Sequence, residues 1–285
     1  MEESMVRIIS DTLSSIPVEE AKRMKLPFLP QIVIFGEESY MDDSEIDSET
    51  FIERLKKSTV LPKTAAPYPH LYQPILEELV KSGDEILIIC PTSKMSGTYS
   101  RAMVAVQEFP HAKITVLDTP LVGAGLGTLV RSALKWAEEG LDAATISERV
   151  LELASRNRTY FLVDTLEYLQ KGGRIGAAKA LVGSVLQVKP ILGIENGEVK
   201  AIESQRTRKK ALSRFVELVT SECPKDDTAK LNVQHGGAFD EAKALSTELS
   251  DKTGIKEIPI TNLPPAILVH GGPGVLGVSF FNKKS

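Results

Sequence analysis

Short apolar runs alternate with longer amphipathic segments along the first half of this chain. The runs VRIIS (6–10), QIVIF (31–35), EILIIC (85–90) and KITVLD (113–118) are rich in isoleucine and valine, which predicts buried strands. The spacing of apolar positions predicts helices over 48–58, 70–83, 97–109 and 127–140. Strands that alternate with helices favour a parallel sheet with both faces covered. The first half is therefore predicted to be a parallel α/β unit.

The second half has a different order of elements. A helix over 142–156 connects to a strand over 159–164 and to an apolar helix over 177–188. Strand-like runs flank Asn196-Gly197, so 189–204 is predicted to be a hairpin. A helix (206–222), a strand (230–236), a helix (239–253) and strands near 256–260 and 266–270 follow.

This order predicts two abutting domains. An N-terminal α/β domain would span residues 5–156, and a C-terminal mixed α+β domain would span 157–285. No long linker, repeat or low-complexity tract separates them. A cleft between two such domains is the default place for a ligand.

Composition narrows the function classes. Of the 285 residues 42% are hydrophobic and 25% are charged, as in ordinary globular proteins, and the net charge of −4 argues against a general nucleic-acid binder. Two cysteines and four scattered histidines lack metal-ligand spacing. No signal peptide begins the sequence, and no apolar stretch reaches the ~20 residues of a membrane span. We expect a cytoplasmic protein with reduced thiols.

Three predicted strands of the first half end in small polar residues. These ends are Asp11-Thr12, Thr92-Ser93 and Asp118-Thr119. Such residues also make turns and helix caps, so each one alone is readily explained as a cap. Ligands of open α/β sheets bind beyond the carboxyl ends of the strands, so three polar ends on one edge indicate a binding site.

The segment PTSKMSGTYSRA (91–102) is the richest of these ends. Ser96 is placed to be the N-cap of a helix that starts near Gly97, and the N–H groups at such a start suit an anion. The segment lacks the Gly-Lys-Ser/Thr sequence of a phosphate loop. Lys94 stands where a nucleophile elbow needs glycine. A single carboxylate fits this turn better than a polyphosphate.

Three further segments carry candidate chemistry. PKTAAPYPH (62–70) holds Thr64 in a loop stiffened by prolines, YLQKGGRIG (168–176) places two glycines before Arg174, and ILVHGGPGVLG (267–277) sets His270 among glycines. Each segment also has a purely structural explanation. The first would be a plain connector, the second a glycine pair that marks the start of a helix, and the third a tight turn with a hydrogen-bonded histidine.

The order and spacing of these segments resemble the DegV family, which includes the fatty-acid-binding subunits of bacterial fatty acid kinase. The resemblance runs from SDTLSSIP (10–17) to HGGPGVLG (270–277). The matching positions are Asp11, Thr12, Pro17, Thr64, Pro67, Ser93, Lys94, Ser96, Gly97, Thr98, Tyr99, Tyr168, Leu169, Lys171, Gly172, Gly173, Arg174, Ile175, the step 189–192, Arg206 and His270.

The resemblance implies a fold and a ligand. The fold would be a two-domain α/β carrier with a long-chain fatty acid in the cleft between the domains and no other cofactor or metal. The carboxylate would be held by Thr64, Ser96 and His270, with Gly97 and Thr98 at the helix start. Four further residues would lie around the cleft, namely Asp11, Thr12, Ser93 and Asp118.

The resemblance also implies a partner. A fatty acid kinase catalytic subunit would use ATP to phosphorylate the bound carboxylate to an acyl phosphate, so this chain would not itself be an enzyme. Arg174 and Arg206 would face that partner. Exchange of the lipid would involve at most transient membrane contact.

Two other function classes stay open on the residues alone. Ser96, His270 and an aspartate such as Asp11 or Asp118 would suit a serine hydrolase or acyltransferase, against which the missing elbow glycine counts. Asp11 and the Ser96 turn would suit a phosphate- or nucleotide-binding enzyme, although no phosphate-loop lysine stands near them.

Overall fold

A computed structural model describes residues 5–182 and 188–284. The strands are β1 (Val6–Asp11), β2 (Phe28–Leu29), β3 (Ile32–Phe35), β4 (Glu38–Met41), β5 (Lys63–Ala65), β6 (Glu85–Cys90), β7 (Ile114–Asp118), β8 (Asn157–Leu162), β9 (Lys189–Glu195), β10 (Glu198–Gln205), β11 (Asn232–His235), β12 (Ile260–Asn262) and β13 (Leu276–Phe281). The helices are α1 (Val18–Arg23), α2 (Ser48–Lys57), α3 (Pro69–Ser82), α4 (Thr98–Val106), α5 (Ala124–Glu138), α6 (Ala143–Ser155), α7 (Glu167–Lys171), α8 (Arg208–Glu222), α9 (Phe239–Thr253) and α10 (Pro265–Gly271).

The predicted parallel sheet is present in the order β2-β1-β6-β7. On one face Leu87 and Ile89 pack with α5 and α6, and on the other Ile86 and Ile88 pack with α3 and α4. Side chains alternate across a strand, so a strand covered on both faces is apolar at consecutive positions. This double coverage explains the continuous apolar run in β6.

The prediction for QIVIF was wrong in one respect. Its strand, β3, lies in a separate antiparallel sheet of order β4-β3-β5 and not in the parallel sheet. A two-residue turn with Gly36 at a φ of 61° joins β3 to β4. Such a short connection permits only antiparallel pairing, since a parallel neighbour needs a crossover. The small sheet brings β5, and with it Thr64, beside α10.

The second half forms a mixed six-stranded sheet in the order β10-β9-β8-β13-β11-β12. Its strands pair antiparallel except for β11 with β12. The predicted hairpin is β9 and β10, and Asn196 and Gly197 take the positive φ values of 50° and 80° that its turn requires. Helices α8 and α9 pack on this sheet around Phe215 and Leu249.

The last strand of the prediction was also wrong. Residues 265–271 form helix α10, and the strand of this region is β13. Pro265 occupies the first turn of α10, where its missing N–H costs nothing. A short run of apolar residues cannot by itself distinguish a buried strand from a buried helix. The neighbouring strand β12 begins at Ile260, later than expected.

The apolar helix expected over 177–188 is a 3-10 helix over Gly176–Leu181, and residues 183–187 of that expectation lie outside the described residues. A separate hydrophobic core joins the two halves of the chain, since Val33 and Phe51 of the first half pack with Leu192 and Leu268 of the second. The division into domains at residue 156 stays a prediction.

Candidate functional site

A largely apolar cavity of about 140 Å³ lies beside this shared core. Its lining comes from both halves of the chain, as expected for a cleft. The apolar part of the lining includes Leu13, Met95, Phe161, Ile194, Val199 and Val275. Among the described residues, the polar part of the lining consists of seven side chains, namely Gln31, Thr64, Ser96, Thr159, Arg174, Gln234 and His270. The cavity therefore suits a ligand that is mainly hydrocarbon and has a polar group.

Thr64 and His270 lie side by side, although they are 206 positions apart in sequence. The Oγ1 atom of Thr64 and the Nε2 atom of His270 are 3.0 Å apart, and both residues line the cavity. Thr64 is in edge strand β5, opposite Val33 in the register of the small sheet. His270 is in the last turn of α10. The family resemblance implied that both residues meet the ligand carboxylate, and the structure places them side by side.

Ser96 and Gly97 line the same cavity at the start of α4. The expectation that Ser96 is the N-cap was wrong, because α4 begins at Thr98 and its N-cap is Gly97. The Ser96 hydroxyl still accepts the N–H of Thr98 at 3.3 Å. Thr98 itself is buried, and its Oγ1 lies 3.0 Å from Oγ of Ser96. Thr98 thus stands behind Ser96 and does not line the cavity.

His270 is neutral at physiological pH. Burial, and secondarily the charge of Arg174, lower its pKa to about 4. Its Nδ1 atom is buried and has no hydrogen-bond partner among the described residues. The backbone of Gly172 packs against this nitrogen, so that a Cβ on Gly172 would lie 2.2 Å from it. A neutral imidazole can still donate one hydrogen bond, but it supplies no positive charge to a ligand.

The glycines after His270 serve packing more than access. A Cβ on Gly272 would meet the ring of Tyr168 at 2.4 Å, and one on Gly274 would meet the carboxylate of Asp164 at 2.3 Å. Both glycines also have positive φ, 76° and 77°. Arg208 donates to the Gly274 carbonyl at 3.0 Å and to Asp164 at 2.7 Å, and so fixes the turn. The turn is held closed against its neighbours.

Arg174 lies in the cavity lining and is half-buried. It donates through Nε to the carbonyl of Met95 at 2.9 Å and through Nη1 to the carbonyl of Gly172 at 2.7 Å. Arg174 is the only lysine or arginine among the described residues that line the cavity. Arg206, in contrast, is exposed just before α8 and does not line the cavity. The sequence singled out both arginines, and only Arg174 borders the cavity.

Asp11 and Thr12 lie at the carboxyl end of β1, buried just beyond the cavity wall. Gln31 links them to the cavity, because its Nε2 donates to Asp11 at 2.6 Å and its backbone N–H donates to Thr12 at 3.0 Å. Sequence reasoning missed Gln31, although a glutamine that opens the apolar run of β3 was an available signal.

Ser93 and Asp118 share the edge of the parallel sheet but not the cavity. The Ser93 N–H and hydroxyl donate to the Asp118 carboxylate at 2.9 and 2.5 Å, and both residues are exposed. They cap two neighbouring strands, which is the plain explanation for such residues. Two other polar lining residues, Thr159 and Gln234, were not predicted and come from the six-stranded sheet.

The hydrogen bonds do not form the triad of a serine hydrolase. Within residues 5–182 and 188–284, none joins Ser96 to His270 or an aspartate to His270. An orienting carboxylate would raise the pKa of the histidine, whereas this pKa is lowered. The same ranges contain no cluster of three His, Cys, Asp or Glu side chains that could hold a metal ion. No helix in the described part of the chain is long and apolar enough to cross a membrane.

The structure is thus that of an α/β protein with a largely apolar cavity lined by residues from both halves of the chain. The family model for uncharacterised proteins of the DegV family matches residues 5–283. A DegV domain-containing protein of Halalkalibacterium halodurans is 33% identical over 280 residues, which cover 98% of this chain and 99% of the relative. The chain therefore belongs to the DegV family, and the predicted membership is confirmed.

Solved structures confirm the predicted fold class. The DegV family protein of Thermus thermophilus, described for its fatty acid binding, superposes with a TM-score of 0.88 at 28% identity, covering 98% of this chain and 100% of that one. DegV of Bacillus subtilis, described as a fatty acid binding protein, gives a TM-score of 0.87 at 32% identity, covering 99% of this chain and 100% of that one. These structural neighbours bind fatty acids.

Proposed function

We propose that this protein binds a long-chain fatty acid in the cavity, with the carboxylate at Thr64, Ser96 and His270. The observation that carries the proposal is that these three side chains line one largely apolar cavity, with Thr64 and His270 3.0 Å apart. A buried carboxylate is costly unless several donors meet it, and these side chains supply a hydroxyl pair and an imidazole. The fatty acids bound by the structural neighbours have this combination of carboxylate and hydrocarbon.

Arg174 supplies the charge in this proposal. Because His270 is neutral, the positive charge nearest to the carboxylate within the lining is the guanidinium of Arg174. Its two hydrogen bonds to backbone carbonyls hold that guanidinium in place without neutralising it. The ligand carboxylate is thus held by neutral donors and attracted by one fixed cation.

The acyl chain supplies most of the binding free energy. A volume of about 140 Å³ holds on the order of ten water-sized groups. Burial of about ten methylenes at about 0.8 kcal/mol each gives about 8 kcal/mol before the cost of association. Affinity should therefore increase with chain length until the cavity is full.

The first experiment tests the ligand. Purified protein is examined by native mass spectrometry and by lipid extraction, and we expect a co-purifying fatty acid. Ser96→Ala should lower the affinity for added palmitate about tenfold, since one hydrogen bond to a charged group is removed. Ser93→Ala is the matched control, because Ser93 lies outside the lining and should leave the affinity unchanged. Folded protein that never takes up a fatty acid contradicts the proposal.

The second part of the proposal is presentation to a partner kinase. A carboxylate oxygen of the bound fatty acid attacks the γ-phosphorus of ATP held by the partner, the bond from that phosphorus to ADP breaks, and an acyl phosphate forms. The partner supplies ATP and its metal, and this chain supplies the positioned carboxylate. Arg174 at the cavity and the exposed Arg206 are the proposed contacts.

The second experiment reconstitutes phosphorylation with a fatty acid kinase catalytic subunit. Arg206→Ala should lower the phosphorylation rate and leave the palmitate affinity unchanged. Lys209→Ala, a nearby exposed cation, is the matched control for a general effect of charge. Arg174→Ala tests the partner-facing role of Arg174, which predicts a lower rate at saturating palmitate. Equal rates for wild type and both arginine variants would remove these residues from the partner surface.

A further inference from the structure

A chain of hydrogen bonds leads from the cavity to the buried carboxyl of Asp11. Ser96, in the lining, has its Oγ 3.0 Å from Oγ1 of Thr98. The Thr98 hydroxyl is in turn 2.8 Å from Oδ2 of Asp11. Gln31 braces the chain from the side, because its Nε2 lies 2.6 Å from Oδ2 of Asp11 and 2.9 Å from Oγ1 of Thr98.

The hydroxyl hydrogens of this hydrogen-bond chain can be arranged in two ways. When Asp11 is ionised, it can only accept, so Thr98 donates to Asp11 and the Ser96 hydroxyl donates to Thr98. The Ser96 hydrogen then points away from the cavity. When Asp11 is protonated, its O–H can donate to Thr98, which then donates to Ser96. In this direction the Ser96 hydrogen is free to point into the cavity.

The surroundings of Asp11 make both states accessible. The side chain is 1% exposed, and burial raises its pKa to about 7 against the hydrogen bonds from Thr98, the N–H of Leu13 and Gln31. Asp11 can therefore change its protonation state near neutral pH. A second buried carboxylate placed on Ser96 would repel the ionised form further.

The other titratable groups that face Asp11 are neutral near pH 7. Burial raises the pKa of Asp42 to about 8, and burial also raises the pKa of Tyr72 and of the Cys90 thiol. The causes of the Asp11 pKa shift are burial and the hydrogen bonds that Asp11 accepts, and no cation among the described residues contributes to it. Asp42 is the one neighbour whose titration overlaps that of Asp11, so an experiment has to separate the two.

We propose that Asp11 is a positioning residue for the ligand: its proton reverses the chain from Asp11 through Thr98 to Ser96 and turns the Ser96 hydrogen toward the ligand carboxylate. The inference rests on the proposed function, and it states that the fatty acid anion is bound together with one proton. That proton comes from solvent and resides on Oδ2 of Asp11. No covalent bond is made or broken.

The measurement is calorimetric titration with palmitate at pH 8 in two buffers of different ionisation enthalpy, together with affinities from pH 6.5 to 8.5. Wild type should take up close to one proton per palmitate, and its affinity should fall about 25-fold over this range as Asp11, with a pKa of about 7, ionises. Asp11→Asn has no titratable proton at this position. It should take up no proton and should show a flat affinity profile.

Three further variants separate the alternatives. Thr98→Val breaks the chain with Asp11 in place and should flatten the profile, whereas Thr98→Ser should restore it. Asp42→Asn keeps an acceptor for the Ala266 N–H and should behave as wild type. Palmitate binding without proton uptake by wild type, or proton uptake that survives in Asp11→Asn or vanishes in Asp42→Asn, overturns this inference alone. Absence of palmitate binding at every pH overturns the proposed function and this inference with it.

Discussion

Replacing Gly172 with alanine tests whether the position of His270 controls the site. Gly172 has a φ of −75°, which alanine adopts without strain, so the only new element is the Cβ. That atom would lie 2.2 Å from Nδ1 of His270, and the ring would have to move by roughly 1 Å to reach ordinary contact. A ring shift of that size would disrupt the present geometry of the 3.0 Å contact between His270 and Thr64.

The structure sets the size of both effects. Overpacking of this kind costs about 1–3 kcal/mol of unfolding free energy. Displacement of one donor from the carboxylate costs about 1.5 kcal/mol, which is about a tenfold loss of palmitate affinity. A smaller residual cost comes from the carbonyl of Tyr168, which the new Cβ would meet at 2.9 Å.

A double-mutant cycle with His270→Ala isolates the contact. Urea unfolding and palmitate affinity are measured for Gly172→Ala, His270→Ala and the double variant. Because His270→Ala removes the atom that the new Cβ meets, Gly172→Ala should cost little more in that background. Gly271→Ala is the control for stability, since its Cβ would have only contacts at 3.7 Å or more.

The reasoning is refuted if the free-energy losses of the two single variants simply add in the double variant. If Gly172→Ala costs the same with and without His270, the two residues are not in the contact that the structure gives them. An unchanged palmitate affinity in Gly172→Ala would mean that the position of His270 does not matter for the ligand.

Three other predictions concern stability and reactivity. The pKa of His270 is about 4 in the folded protein and 6.5 ordinarily, so between these pH values the unfolded chain binds a proton that the folded chain does not. The difference in unfolding free energy between wild type and His270→Gln should be constant above pH 7, and it should shift against wild type by up to about 3 kcal/mol as the pH falls from 6.5 to 4. A pH-independent difference in urea unfolding would contradict this. Arg208→Lys should lower the free energy of unfolding by about 1–2 kcal/mol, because it loses a paired contact to a carboxylate and a bond to the closing turn. Arg214→Lys should lose less, because the Arg214 side chain is 38% exposed and that of Arg208 is 26% exposed. Equal losses would be inconsistent with this account. Burial raises the pKa of the Cys90 thiol, and it raises the pKa of the Cys223 thiol to about 12. Neither cysteine should therefore react with a thiol reagent at pH 8 until urea unfolds the chain. Rapid labelling of the native protein would show an exposed thiolate and contradict this prediction.

Local sequence patterns determined most of the secondary structure. The runs of β1, β6 and β7, the Asn196-Gly197 turn and helices α2 to α6 were predicted, because period and turn chemistry depend on neighbouring residues. The short elements α1 and β5 were not predicted. The same logic failed for 265–271, where Pro265 and a short apolar run allow a helix as well as a strand. It also missed that β3 leaves the parallel sheet, since strand partners are chosen by connections and packing.

The sequence also determined which types of side chain are available at the site. The resemblance to the family predicted that Thr64, Ser96 and His270 act together on one carboxylate. Only the tertiary structure decided the protonation states of the residues at and behind the site. Burial beside Gly172 and Arg174 makes His270 neutral, and burial behind Thr98 brings the pKa of Asp11 to about 7. Both effects arise from desolvation and from contacts between residues distant in the chain, which no local pattern of residues encodes.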